Sequence, residues 1–87
     1  MHAVIVRVTI SDPEAAERDL REQVVPRASQ SPGFVNGYWT RKENTGLSMV
    51  LFESEDAAVQ MSERIPSMVP EHVTLEGVEV REVVAQA

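Results

Sequence analysis

Alternation dominates the beginning of the chain. From His2 to Ile10 most residues are apolar or β-branched: Val4, Val6, Val8 and Ile10 fall on one face of an extended segment, and Ala3, Ile5, Arg7 and Thr9 on the other. This predicts a strand over 2–10. The period then changes. Ser11-Asp12-Pro13-Glu14 starts a helix: Asp12 or Ser11 accepts from the free amides of the first turn, Pro13 suits the first helical position, and Glu14 complements the positive end of the dipole. Ala16, Leu20 and Val24 recur at every fourth position, with Glu17, Arg18, Arg21 and Glu22 on the outer side. Pro26 is expected to end or kink this helix near Val25, with Arg27 to Gln30 adding an irregular turn.

Pro32-Gly33 marks a turn, and alternation returns over 34–42 as a second strand. Glu43-Asn44-Thr45-Gly46 is expected to form a short hairpin loop, with positive φ at Gly46 or Asn44, before a third strand from Leu47 to Phe52. Ser54 caps a second helix, Glu55 and Asp56 occupy its first turn, and Ala57, Ala58, Met61 and Ile65 supply its apolar stripe. Pro66 is expected to stop it. Residues 73–84 read as the last strand, with a bulge at Gly77. The element order is β-α-β-β-α-β, in one domain over residues 1–87.

Strand polarity turns this order into a topology. The first strand and the third, with Leu47, Met49 and Leu51 on one face and Ser48, Val50 and Phe52 on the other, carry apolar residues on both sides and suit the centre of a sheet. The second carries Asn36, Thr40, Arg41 and Lys42, and the fourth Thr74, Glu76, Glu79, Arg81 and Glu82; charge suits edges. This predicts an α+β, ferredoxin-like fold with an antiparallel sheet in the order 4-1-3-2, and right-handed crossovers place both helices on one face. The other face keeps apolar residues with nothing left in the chain to cover them. A bare patch of that kind marks an interface, so the expected partner is a second copy, packed sheet on sheet.

Composition narrows the function. The charge of −6, from 14 acidic and 8 basic residues with only Arg41-Lys42 adjacent, argues against nucleic acid and against an anionic membrane surface. With no cysteine there is no disulfide, thiolate nucleophile or thiolate metal site. Neither His2 nor His72 has a second ligand at metal spacing, so no metal is expected. No apolar run reaches the roughly 18 residues of a membrane span, and Met1 leads straight into strand-like sequence with no secretory signal, which points to the cytoplasm.

Ser31-Pro32-Gly33-Phe34 after the first helix, Gly37-Tyr38-Trp39 in the second strand and Phe52-Glu53-Ser54 leading into the second helix carry a family likeness. With the element order, these residues make the chain resemble the dimeric α+β barrel superfamily and, within it, the small antibiotic-biosynthesis-monooxygenase-like proteins; the resemblance covers nearly the whole chain. It implies a homodimer and, in that branch, oxygenation of an aromatic substrate without a cofactor. It also implies an Asn and a Trp on this part of the sheet with Tyr and Arg nearby, types found here as Asn36, Trp39, Tyr38 and Arg41. The haem-degrading pattern of the superfamily, a His ligand supported by Asn and Trp, finds no match.

The candidate site follows. In a regular strand Asn36 and Tyr38 share a face with Phe34 and Thr40. If that face lies under the helices, Asn36 and Tyr38 can hydrogen-bond a planar ligand, and Trp39 faces the second copy. Arg7, a charge in a central strand, needs a carboxylate such as Glu53, Glu79 or Glu82, or an anionic ligand. The expected catalytic residues are therefore Asn36, Tyr38 and His72, with Arg7, Phe34, Trp39 and Met61 against an apolar or aromatic small molecule. The alternative is a non-catalytic binding or assembly module of the same fold.

Overall fold

The computed structural model describes residues Met1–Ala87. Strands β1 (His2–Ile10), β2 (Phe34–Lys42), β3 (Thr45–Phe52) and β4 (Val73–Glu82) form one antiparallel sheet in the order β2-β3-β1-β4, the 4-1-3-2 arrangement seen from its other edge. Helix α1 (Pro13–Asp19) runs through a π-turn (Leu20–Val24) directly into α2 (Val25–Ser29), and these three segments make one helical arm; α3 (Glu55–Met68) follows β3. The fold is α+β and ferredoxin-like, and no helix is long and apolar enough to cross a membrane.

Both helix starts form as their residues dictate. The Asp12 carboxylate accepts from the Ala15 amide at 3.2 Å, and the Ser54 hydroxyl accepts from the Ala57 amide at 3.2 Å. The helices cover one face of the sheet. Ala28 of α2 and Ala58, Met61 and Ile65 of α3 are buried against Val4, Val6, Val50 and Phe52. Burying this apolar surface is the main favourable term of the fold.

Four local expectations need correction, each for an identifiable reason. Pro26 does not end the arm, which changes winding just before it, and residues 25–29 form a regular turn rather than an irregular one. The π-turn ahead of it, in which the Val25 amide donates to the Leu20 carbonyl, widens the backbone where the proline ring would otherwise press on the preceding turn. Pro66 does not stop α3 either. It sits in the last turn, where a missing N–H costs a single bond, and the helix ends at Met68 because Pro70 forces Val69 into extended backbone (φ −71°, ψ 125°).

The third correction concerns the hairpin. β3 starts at Thr45, so the loop is only Glu43-Asn44, and Glu43 takes the positive φ (54°). The Arg41 guanidinium steadies the loop by donating to the Glu43 carbonyl at 2.9 Å. Gly46 is instead an extended residue of β3, where a Cβ would lie 2.7 Å from Val8 Cγ2. The fourth is a bulge in β2. Phe34 pairs with Phe52 and Asn36 with Leu51, leaving Val35 as the extra residue. Phe34 therefore faces the helices together with Gly37, Trp39 and Arg41, whereas Asn36, Tyr38 and Thr40 face the opposite way.

At the other edge the register of β4 slips between Leu75 and Gly77, beside the glycine where a bulge was expected; β4 ends at Glu82, two residues short of the expected limit. The helix-free face carries Ile5, Leu47, Met49, Leu51 and Tyr38. Tyr38, Leu47 and Met49 are 63%, 51% and 44% exposed.

Candidate functional site

The covered face is not filled along its whole length. Near the hairpin end a cavity of about 400 Å³ separates the sheet from the helical arm and the C-terminal end of α3. Its floor is the second half of β1, Val8 and Ile10, with Gly46 and Ser48 of β3 beside them. Its roof is the π-turn, which contributes Leu20, Arg21 and Val24. Ile65, Met68 and Val69 close the α3 side.

Trp39 forms the wall on the β2 side. Its ring folds back along the strand, so that a Cβ at Gly37 would stand 2.9 Å from Trp39 Cη2. Gly37 is thus what lets the indole lie flat on the sheet instead of projecting away from it.

Three charged groups meet at the solvent end. Arg41 Nε donates to Glu17 Oε1 at 3.0 Å and ties the hairpin to α1. Arg21, one turn further along the arm, lines the same cavity and makes no ion pair. Deeper in lies Ser48, 9% exposed and the one buried polar residue of the fold. An apolar enclosure with a few polar groups is the usual form of a small-molecule site. No three His, Cys, Asp or Glu side chains lie close enough to hold a metal ion.

The structure does not bring the residues expected from sequence into one place. Trp39 lines the cavity. Phe34 faces the same side but packs edge-on to Phe52, with ring centroids 6.2 Å apart at 81°, and Met61 is buried in the core. Asn36 and Tyr38 are on the helix-free face, so the condition for their meeting a ligand under the helices is not met. Arg7 is on that face too, exposed and paired with Glu79 at 3.1 Å, while Glu79 also receives Arg81. His72 stands in the turn before β4, where its carbonyl accepts from the Ser11 amide at 2.9 Å and from the Ser11 hydroxyl at 3.2 Å.

Ser48, Arg21, Glu17 and Leu20 were missed as site residues. One signal was available: Trp39 and Arg41 alternate in β2, so they share a face wherever that face points. In comparison with known proteins, the chain matches no family model and no curated protein.

Proposed function

We propose that this chain is a small-molecule-binding protein whose cavity takes a flat, apolar or aromatic ligand against Trp39. The observation that carries this reading is a hollow of about 400 Å³ in a molecule of only 87 residues, walled by its single tryptophan. Protein interiors are otherwise packed to crystal-like density, and holding such a space open forgoes contacts that filled side chains would make. Asn36, Tyr38 and His72 do not converge on the cavity, so binding takes precedence over the cofactor-independent oxygenation implied by the resemblance. One titration separates the two. Phenolic and polycyclic compounds should change Trp39 emission without oxygen uptake; uptake would restore the monooxygenase-like enzyme, and an unchanged emission with every compound would refute the binding reading.

The same proposal includes a cytoplasmic homodimer joined through the helix-free sheet face. The exposed Tyr38, Leu47 and Met49, adjoining Ile5 and Leu51, support it, since apolar patches of this kind on small proteins mark interaction surfaces. Sedimentation velocity should give twice the chain mass for the native protein and the single-chain mass for Met49→Glu. A native monomer at high concentration would remove the dimer and leave the cavity untouched.

A further inference from the structure

Resting on the binding reading, we infer that the cavity selects aromatic ligands carrying one negative charge, with the ring system against Trp39 and the anion at the solvent end between Arg21 and Arg41. The chain as a whole is acidic, with a formal charge of −6, yet the charged side chains lining this cavity are Arg21, Arg41 and Glu17, a local surplus of one positive charge. Glu17 is already engaged by Arg41 at 3.0 Å, and Arg21 has no carboxylate partner. Glu14, Arg18 and Glu22 do not line this cavity; they line a second, wholly polar hollow that shares Glu17 and Arg21 with it.

A guanidinium presents a planar fork of donors that matches a carboxylate, and Arg21 offers one with no competitor within ion-pair distance. The second independent observation is Ser48. Ser48 is the one polar residue buried in the fold, 9% exposed, and burying a polar residue against apolar neighbours favours a polar partner for it. It lines the same cavity on the sheet side and offers a hydrogen bond to a polar substituent on the ring system. Aromatic body, inner hydrogen bond and outer anion together describe a ring-substituted aromatic acid.

Two probes with the same rings and different charge test this: 2-naphthoate and neutral 2-naphthamide, titrated into the full chain and followed by Trp39 emission. Naphthoate should bind about fivefold more tightly at low salt, a preference of the size exposed charge pairs provide, and the gap should close as salt is added. Arg21→Gln should weaken naphthoate about threefold, whereas Glu17→Gln, which removes the competing carboxylate and frees Arg41, should strengthen it by a similar factor. Neither substitution should move the amide. Opposite shifts from two variants on one helical arm cannot come from loss of folding. Equal affinity for the two probes, or a Glu17→Gln effect shared by both, would overturn the selectivity and leave the cavity as a neutral site. Failure of both probes to bind would overturn the binding reading itself.

Discussion

The two ends of the covered sheet face are built from the same kinds of residue with opposite results. At the end near Phe34, small residues on the helices meet large ones on the sheet: Ala28 and Ala58 let the backbones approach, and Phe52, fully buried, fills the space beneath. Gly33, at φ 79°, brings the chain so close that a Cβ there would stand 2.9 Å from the Ala57 Cβ. At the hairpin end, small meets small. Ala16 on the arm shares the cavity lining with Gly46 and Ser48 on the sheet, and the larger Leu20, Trp39, Ile65 and Met68 line it around them. Three small residues among its lining leave room that Phe52 fills at the other end.

Substitutions can break this comparison or sharpen it. The largest effect belongs to Phe52→Ala at the packed end, expected to cost about 3–5 kcal/mol and to leave a chain of this size largely unfolded in mild urea. Gly33→Ala should cost about 2 kcal/mol, combining the unfavourable left-handed backbone with the clash against Ala57, and a thermal melt would register it as a fall of about 10 °C. The same truncation at two positions of β1 gives the sharpest contrast. Val4→Ala, at a fully buried site, should lower stability by about 2 kcal/mol, but Val8→Ala, beside the cavity, by less than about 1 kcal/mol. Urea midpoints at unchanged m-value measure that difference, and equal losses would mean that the hollow is filled in solution. Smallest is Arg41→Gln: its pair with Glu17 is exposed, so the change should be within about 0.5 kcal/mol at equilibrium.

Topology was legible in the chain because strand order depends on which strands tolerate charge, and Asn36, Arg41, Glu79 and Glu82 mark the edges plainly. The binding residues were not, because their placement depends on a single extra residue. Alternation counted from Phe34 puts Asn36 and Tyr38 beside it under the helices; the bulge at Val35 reverses every later position of β2 and sends Trp39 there instead. Val35 bears no local mark of this, being an ordinary strand residue. For Arg7 the sequence offered a carboxylate or an anionic ligand, and the carboxylate holds: its face has no helices, and Glu79 on the neighbouring strand pairs with it. The hairpin, too, turned on an absence: Gly46 is small to admit Val8, not to supply a left-handed turn.

The π-turn resolves a mismatch written into the arm. Ala16, Leu20, Val24 and Ala28 are each four residues apart, and in a straight α-helix a spacing of four rotates by about 40° per step, so the last would point about 120° away from the first. Yet Ala16 and Ala28 are both buried beneath the same arm. The wider turn winds fewer degrees per residue and takes up much of that rotation, keeping the four in phase. Deleting Gln23 would restore ordinary winding, and the eleven steps then left between Ala16 and Ala28 come within about 20° of three whole turns, so both would still meet the sheet without the wide turn.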